Sequence, residues 1–368
     1  MNRAQTKINS KKIKLDRYLF FLGTPHQVHF FKNIIFHLEE RGHKVKIIGR
    51  DKDCELELLK EYFENYDLVE FNEGIFGKIF GMFKTDYEVY KIVKEFQPDI
   101  MLGSVPINLA HVGKILGIPV IAFNDTEHAT AIINLSIPFC DFVLTSTSYT
   151  KDHGKNHIRY NGFHELAYLH PDYFKPNSTV LEKLGVKRSE NFAIIRLISS
   201  TASHDTNSSN LSLDSVIKVV KFLANKCRIF ITSERELPDD LKKYIIKIHP
   251  ADLHSALYYS NLCISDGSTT AVEAALLGTP TLHYEKYITK EGVIGAKELL
   301  GYLNELSSNY NLFYTYSSEK EFIDRIKEFY NCTKYQNEFI NNSKRVFLDK
   351  EDVTKVILKI INKCSIQH

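Results

Sequence analysis

The sequence predicts an α/β protein with two domains, each built on a parallel sheet flanked by helices. Three observations support this fold class. The chain has 368 residues, about twice the length of a typical domain. Short apolar strands alternate with amphipathic helices through the first half, which is typical of parallel sheets. The alternation stops near residues 160–190 and restarts at Phe192, which indicates a second domain of the same kind.

The first half contains six apolar runs of strand length. The predicted strands are Tyr18–Leu22, Val45–Ile48, Leu68–Phe71, Ile100–Leu102, Val120–Phe123 and Phe142–Thr145. A helix over His26–Arg41 places its apolar residues on one face and has Gly42 as its C-cap. Two further helices, at 87–96 and 107–116, end shortly before a proline.

The stretch between residues 160 and 190 is rich in proline, asparagine, histidine and tyrosine. We interpret it as the crossing between the domains, with one short helix at 179–184. The second domain is predicted to contain strands 192–198, 228–232, 262–265 and 281–284 and helices 213–224, 253–259 and 271–277. Amphipathic helices follow at 319–331, 334–347 and 353–362.

These elements predict four segments along the chain. They are a basic lead-in at 1–17, an N-terminal domain at 18–170, a C-terminal domain at 171–345, and a C-terminal helix at 346–368 that crosses back to the first domain.

Composition excludes several classes of protein. The net charge of +2, with both signs mixed along the chain, gives no support for nucleic-acid binding. No apolar run reaches the roughly 18 residues that a membrane span needs, so we expect a cytoplasmic protein. The basic lead-in at 1–17 is compatible with peripheral contact at the inner face of the plasma membrane.

The six cysteines have no CxxC spacing, and no HxH, DxD or HExxH pattern follows a strand. We therefore expect no metal and no cofactor. The oligomeric state is left undetermined.

The stretch "CISDGSTTAVEAALLGTP", residues 263–280, carries no charge except Asp266 and Glu273. It predicts a buried strand, a tight turn rich in hydroxyl groups, and a helix of small residues. Such a turn places free backbone N–H groups and the positive end of a helix at the carboxyl edge of a sheet, which favours phosphate binding. The alternative is an ordinary strand–loop–helix connection with Asp266 as the N-cap.

Polar residues follow other predicted strands. In the first domain, Gly23 and His29 follow the first strand, and Asp125, Glu127 and His128 follow Val120–Phe123. A role for His29 as a base competes with simple exposure to solvent. The three residues after Val120–Phe123 are more than a turn needs and predict catalysis or acceptor binding. In the second domain, the candidates for binding a diphosphate are Arg196, Ser199, Ser200 and His204.

Four segments together resemble the DUF354 family, which is similar to GT-B glycosyltransferases and to UDP-N-acetylglucosamine 2-epimerases. They are residues 23–45, 124–129, 194–205 and 265–280, within a resemblance that covers roughly 18–310. It implies two Rossmann-like domains facing a cleft, a nucleotide sugar held mainly by the second domain, the acceptor and catalytic side in the first, and no metal. The residues that it assigns to the diphosphate and ribose are Ser268, Thr269, Thr270 and Glu273, with Ile248 and His249 at the uracil. Asp266 and Gly267, in the same turn, are further candidates for nucleotide-sugar binding.

The choice between the two activities depends on the first domain. Glu127 falls where the epimerases carry the glutamate of "HVEAG". However, their "GTRPE" is here "GTPHQ", and the aspartate of their "GDT" is replaced in Gly103-Ser104-Val105. We therefore expect a glycosyltransferase that uses a UDP-sugar as substrate and a glycan or lipid-linked acceptor in bacterial or archaeal surface polysaccharide synthesis. The alternatives are an epimerase-like enzyme and a non-catalytic nucleotide-sugar binder.

Overall fold

The structure, a computed structural model, describes residues 16–51, 53–69, 75–199, 208–289, 292–294, 298 and 300–367. The first domain runs through β1 (Arg17–Leu22), α1 (Pro25–Glu40), β2 (Lys44–Arg50), α2 (Asp53–Tyr62), β3 (Tyr66–Val69), α3 (Ile75–Phe96), β4 (Ile100–Ser104), α4 (Ile107–Leu116), β5 (Val120–Phe123), α5 (Thr130–Ser136), β6 (Phe142–Ser146) and β7 (His157–Tyr160).

Two short helices, α6 (Leu166–Leu169) and α7 (Thr179–Lys183), lead into the second domain. Its elements are β8 (Phe192–Leu197), β9 (Ser208–Ser209), α8 (Leu213–Leu223), β10 (Arg228–Ser233), α9 (Asp239–Lys242), α10 (Leu253–Tyr259), β11 (Leu262–Ser265), α11 (Ser268–Leu276), β12 (Thr281–Tyr284), β13 (Lys286–Thr289), β14 (Gly292–Ile294), α12 (Gly301–Ser308), β15 (Thr315–Tyr316), α13 (Glu319–Asn331), α14 (Lys334–Asp349) and α15 (Val353–Gln367).

Both domains are built on parallel sheets, which confirms the predicted fold class. The first sheet has the order β3-β2-β1-β4-β5-β6-β7 and the second has the order β10-β8-β11-β12-β15. In each sheet the strand order reverses beside the first strand, between β1 and β4 and between β8 and β11. Open α/β sheets bind ligands in the crevice outside the carboxyl ends of the strands at such a point. The loops that follow β1, β5, β8 and β11 lie at these edges.

Several elements differ from the prediction. Helix α3 begins at Ile75 rather than Tyr87, because the apolar run before Tyr87 continues the helix despite its glycines. Helices α2, α5 and α12, strand β7 and the antiparallel sheet β14-β13-β9 were not predicted. The residues before His249, where "KIHP" (247–250) predicts the end of a strand, form none; Ile245 makes only an isolated bridge to Ile231. The predicted strand Leu68–Phe71 ends at Val69, and its last two residues lie outside the described ranges.

The C-terminal helix packs on the first domain. Thr354 at its start donates a hydrogen bond from Oγ1 to the carbonyl of Ala167 (2.9 Å), and the N–H of Glu351 bonds to the carbonyl of Asn161 (2.8 Å). A single cluster of buried apolar residues includes side chains from both domains. None of the helices in the described ranges combines the length and hydrophobicity that a membrane crossing requires.

Candidate active site between the two domains

A narrow pocket lies at the carboxyl edge of the first sheet, where this edge meets the second domain; its cavity volume is about 10 Å³, about enough for one water molecule. Strand β5 is buried along its whole length, and the chain that leaves it carries Asp125 and Glu127 into the pocket. The pocket is lined by Asp125, Glu127, Ser146, Ser148, Tyr149, Phe163, His164, Glu165 and Tyr302. All of these residues except Tyr302 belong to the first domain.

Asp125 and His164 form a hydrogen-bonded pair in this pocket. Oδ2 of the aspartate lies 3.1 Å from Nδ1 of the imidazole, whose ring stacks on Phe30 with centroids 4.2 Å apart. Burial acts to raise the pKa of Asp125, but His164 and His26 outweigh it, so the pKa lies well below its usual range. Nε2 of His164 is buried and has no hydrogen-bond partner among the described residues. An aspartate that orients one ring nitrogen while the other is free is the arrangement of a general base.

A chain of polar contacts leads from this pair to the second domain. His26 Nε2 lies 3.9 Å from Asp125 Oδ2, and His26 Nδ1 lies 3.3 Å from the hydroxyl of Tyr168. Tyr168 donates to Oε1 of Glu273 (2.7 Å), and the same oxygen lies 3.1 Å from Nε2 of His254. Burial acts to raise the pKa of Glu273, but these partners outweigh it and the pKa is lowered. The predicted ribose ligand is therefore a buried carboxylate that also joins the two domains.

Glu127 bridges the domains in a second place. Its Oε1 accepts hydrogen bonds from the backbone N–H groups of Thr150 (3.2 Å) and Gly301 (3.0 Å). Gly301 is the first residue of α12, so the carboxylate caps a helix of the other domain. Burial raises the pKa of Glu127, and Oε2 has no hydrogen-bond partner among the described residues.

Glu165 is the second carboxyl group of the pocket with a raised pKa. Burial, and then the charge of Asp125, raises its pKa to about 8. Its Oε2 is buried and likewise has no hydrogen-bond partner within the described ranges. Asp125 and Glu165 therefore carry opposite pKa shifts in one pocket, which is typical of active sites.

The other catalytic candidates of the first domain lie around this pocket. His29 is buried, not exposed to solvent, and its ring lies 4.5 Å from that of His254. Its pKa is lowered mainly by burial and then by the charge of His254. His128 lies on the other side, with its ring 6.0 Å from Tyr287 of β13. Catalytic roles for both histidines stay predictions.

In the second domain, the turn between β11 and α11 has the predicted form. Gly267, not Asp266, is the N-cap, and a Cβ on this glycine would lie 2.7 Å from Cγ2 of Ile198. Asp266 is buried; it accepts a hydrogen bond from the N–H of Ile198 (2.7 Å) and pairs with Arg235. The first turn of α11 contains Ser268, Thr269 and Thr270, whose N–H groups have no partner within the helix.

The other residues predicted to bind the nucleotide sugar lie in several parts of the chain. Arg196 donates to Oγ1 of Thr232 (3.0 Å) and pairs with Glu234, which also accepts from the N–H of Ser199 (3.1 Å). Ser200 and His204 lie outside the described residues. The half-buried Ile248 packs on the second-domain core. His249 caps a short turn by accepting from the N–H of Ala251 (3.3 Å). Binding of a nucleotide by any of them stays a prediction, as does the assignment of Gly23, whose N–H donates to Gln27 (2.7 Å).

Sequence reasoning missed His164, Glu165, Tyr168 and Tyr302. The first three fall in the segment that we interpreted as a crossing between domains. The sequence did contain one signal of their burial, because "FHELAYL" (163–169) is too apolar for a surface linker. In the structure all seven residues are buried. One ligand atom from each of His26, Asp125 and His164 lies within 4.8 Å of the others, close enough to hold a metal ion. The expected absence of a metal is therefore a question for experiment.

The chain is similar to known proteins in sequence and in structure. Residues 15–294 match the family described as "Protein of unknown function (DUF354)". The chain is 25% identical over 320 residues to the uncharacterized protein MJ0665 of Methanocaldococcus jannaschii, which covers 81% of this chain and 92% of that protein.

Two solved structures illustrate the fold. UDP-GlcNAc 2-epimerase from Neisseria meningitidis, bound to UDP-GlcNAc, aligns with a TM-score of 0.66 at 12% identity over 94% of this chain and 100% of that one. The Streptomyces sp. SF2575 glycosyltransferase SsfS6 aligns with a TM-score of 0.57 at 10% identity over 94% and 99%. Identities this low show the fold alone. They confirm the GT-B-like architecture predicted from the sequence.

Proposed function

The chain belongs to the DUF354 family, and we propose that it is a GT-B-type glycosyltransferase that uses a UDP-sugar donor without a metal ion. The observation that carries this proposal is the Asp125–His164 pair, with its free Nε2 in a pocket between the domains. The neighbours in structure include an epimerase bound to UDP-GlcNAc and a glycosyltransferase, which supports an enzyme that acts on a nucleotide sugar.

The first domain supplies the base. Nε2 of His164 accepts the proton of an acceptor hydroxyl as that oxygen attacks the anomeric carbon of the donor. Asp125 Oδ2, 3.1 Å from Nδ1, stabilises the imidazolium that forms and fixes the orientation of the ring. The bond from the anomeric carbon to the diphosphate breaks, and UDP leaves. Glu127 and His128 remain candidates for binding the acceptor beside this base.

The second domain supplies the binding site for the diphosphate of the leaving group. The N–H groups at the start of α11 and the hydroxyls of Ser268 and Thr269 stabilise the charge that develops on the diphosphate. Tyr302 lines the base pocket and also hydrogen-bonds to Ser268. The predicted donor and acceptor sites are therefore adjacent. We assign surface polysaccharide synthesis as the setting on the basis of the resemblance to GT-B enzymes.

The proposal is tested by measuring UDP release from a panel of UDP-sugars with candidate glycan acceptors. Replacement of the base, His164→Asn, is expected to lower turnover by about 10²–10⁴-fold with little effect on donor affinity. His37→Asn, at a half-exposed position of α1 outside the pocket, is the matched control and should turn over like the wild type. Turnover that is unchanged in His164→Asn would remove the histidine from the mechanism.

Epimerisation is the second candidate, because two further acids line the same pocket. Glu127 and Glu165 both have raised pKa values and free oxygens, so the pocket holds groups for both proton transfers that an epimerase needs. Incubation of a UDP-N-acetylhexosamine in deuterated water separates the two reactions. Deuterium at C2 of the sugar without any acceptor would contradict the transferase. A protein that binds donor but neither releases UDP nor exchanges protons would be a non-catalytic binder.

A further inference from the structure

We propose that one outer face of the first domain, formed by α3, α4, α5 and the turn after α5, attaches the protein to a bilayer that contains anionic lipids. We call it the α3–α5 face, and its exposed side chains are Phe83, Tyr87, Ile115, Leu135 and Phe139. This inference goes beyond the proposed function and does not depend on it, because attachment needs neither a donor nor catalysis.

Exposed apolar side chains are concentrated on this face. The described residues expose ten large apolar or aromatic side chains, and five of them belong to the α3–α5 face; the other five are spread over β3 and the second domain. Phe83, Tyr87 and Ile115 are 62%, 59% and 73% exposed. Single exposed apolar residues are normal in soluble proteins, whereas a contiguous group marks an interaction surface.

The five side chains belong to one surface because His111 of α4 connects the helices. Its Nδ1 lies 3.0 Å from Oδ2 of Asp86 on α3, and its Nε2 lies 3.1 Å from the carbonyl oxygen of Leu135 on α5. Its ring also lies 5.3 Å from that of Phe139. The two aromatic residues of α3 stand three positions before Asp86 and one position after it, and Ile115 lies one helical turn beyond His111.

Lysine side chains border the apolar residues of this face. Four lysines on α3 and α4 are exposed there, namely Lys84, Lys91, Lys94 and Lys114. Nζ of Lys91 lies 4.3 Å from the centroid of the Tyr87 ring, and Nζ of Lys94 lies 5.8 Å from that of Tyr90. Aromatic rings beside lysines are typical of surfaces that lie at the boundary between water and lipid.

The acidic residues of the same helices do not cancel this charge. Asp86 is paired with His111 beneath the face. Glu88 lies 3.9 Å from Lys84, and Glu95 lines a groove outside this face. Helices α4 and α5 contain no acidic residue. The face therefore carries an excess of positive charge, which attracts anionic headgroups.

A lipid surface fits this face better than another protein does. Protein interfaces are enriched in arginine and depleted in lysine, whereas the basic side chains at this face are lysines. A second copy of the chain would place the same lysines opposite one another around a two-fold axis. In a bilayer, the apolar side chains enter the boundary between headgroups and acyl chains, and the lysines reach the phosphates.

The α3–α5 face points away from the cleft between the domains. The buried residues of α3 and α4 cluster with Leu19 and Phe21 of β1, whereas those of α1 cluster with Tyr18 and Phe20, on the other face of the sheet. Helix α1 also contacts α10 of the second domain. Attachment through the α3–α5 face therefore leaves the cleft accessible to a donor.

The test is binding of the full-length protein to lipid vesicles without any donor. Vesicles of mixed phosphatidylglycerol and phosphatidylcholine are compared with vesicles of phosphatidylcholine alone by co-sedimentation. We expect binding to the mixed vesicles to be at least ten-fold tighter and to weaken as salt is added. Equal binding to the two kinds of vesicle, or no binding to the mixed ones, would overturn the proposal.

Two variants test the apolar and the charged parts of the face separately. The first combines Phe83→Ser with Tyr87→Ser, and the second combines Lys84→Gln, Lys91→Gln and Lys94→Gln. Each is expected to weaken binding to the mixed vesicles at least ten-fold, and the exposure of these positions favours retention of the fold. Undiminished binding in either variant would contradict the proposal.

Matched controls lie in the second domain. Leu348→Ser changes a side chain of α14 that is 83% exposed. The combination of Lys187→Gln, Lys221→Gln and Lys243→Gln removes three exposed lysines. Both controls should bind the mixed vesicles like the wild type, and a loss of binding as large as that in the face variants would show that the α3–α5 face has no special role.

Size-exclusion chromatography without lipid separates a bilayer from a second copy of the chain. We expect the variant with Phe83→Ser and Tyr87→Ser to have the same oligomeric state as the wild type. A dimer that is lost in this variant would show that a second copy covers the face. Vesicle binding by a protein that releases no UDP would instead contradict the proposed function and leave this surface intact.

Discussion

At the scale of single residues, two carboxyl groups of the pocket between the domains have pKa values that are shifted in opposite directions. Asp125 has imidazole partners on two sides, and its pKa is well below the usual range despite burial. Glu165 has no such partner for Oε2, and its pKa is raised to about 8. The difference arises from neighbours rather than from residue type. At neutral pH the pocket therefore holds an ionised aspartate and a protonated glutamic acid.

This difference predicts a pH dependence of stability. The native state keeps a proton on Glu165 up to about pH 8, whereas the unfolded chain releases it near 4.5. The contribution is complete below the unfolded pKa and is lost as the pH rises through the folded pKa. In Glu165→Gln this loss is absent. The unfolding free energy of the variant relative to the wild type should therefore rise with pH, by at most about 1.4 kcal/mol per pH unit between roughly pH 5 and 8.

Denaturant unfolding at three pH values measures this difference. Glu182→Gln, on the surface, should show no such trend relative to the wild type. A constant difference between Glu165→Gln and the wild type would mean that the glutamate titrates normally in the folded protein.

Sequence reasoning found only part of this pocket. Asp125 and Glu127 were predictable because they follow an apolar strand at the carboxyl edge of a parallel sheet. His164 and Glu165 were not, because their segment contains the prolines and asparagines of a loop. Their significance depends on contact with a residue about 40 positions earlier in the chain, which no local pattern encodes.

At the scale of elements, helix α12 of the second domain contacts the first domain at its N-terminus. Its first residue, Gly301, donates its N–H to Oε1 of Glu127 (3.0 Å), and a Cβ at this position would overlap the carbonyl oxygen of Ser148. The glycine is therefore required by the close approach of two domains rather than by its dihedral angles.

Gly301→Ala is expected to destabilise the protein by about 1–3 kcal/mol, because the added methyl group has no space against backbone. Asn304→Ala, an exposed position on the same helix, is the control, and its unfolding free energy should be unchanged or slightly higher. Thermal and denaturant unfolding measure both. A Gly301→Ala protein as stable as the control would show that the two domains move apart readily at this contact.

The elements show why the fold could be predicted better than its details. Strands β11 and β12 and helices α4, α10 and α13 have the predicted bounds, because apolar runs or amphipathic periods with clear ends mark them. Strands β13 and β14 escaped prediction because "EKYITKEGVI" (285–294) mixes charge and glycine. Strand β9 escaped because it is only two residues long, and it pairs with β13 from far earlier in the chain.

At the scale of the whole molecule, a series of polar contacts connects the proposed base in the first domain with the predicted donor-binding site in the second. Asp125, His26, Tyr168, Glu273 and His254 follow one another at 3.9, 3.3, 2.7 and 3.1 Å. The middle of this chain crosses from the first domain to the second. These contacts therefore connect the proposed base and the predicted ribose ligand, although the step from His26 to Asp125 is longer than a hydrogen bond.

The last prediction tests donor binding by the whole molecule. If the start of α11 holds the diphosphate, UDP should stabilise the protein by about 2.7 kcal/mol at a concentration roughly 100-fold above Kd. The shift in melting temperature should be the same after treatment with EDTA, because backbone N–H groups and hydroxyls replace a cation. Asp125→Asn should keep the shift, since it changes only the first domain. Glu273→Gln, which retains bulk and an acceptor for Tyr168, should lose a large part of it. A shift that requires magnesium or manganese would contradict metal-free binding, and an undiminished shift in Glu273→Gln would make this glutamate a structural link between the domains only.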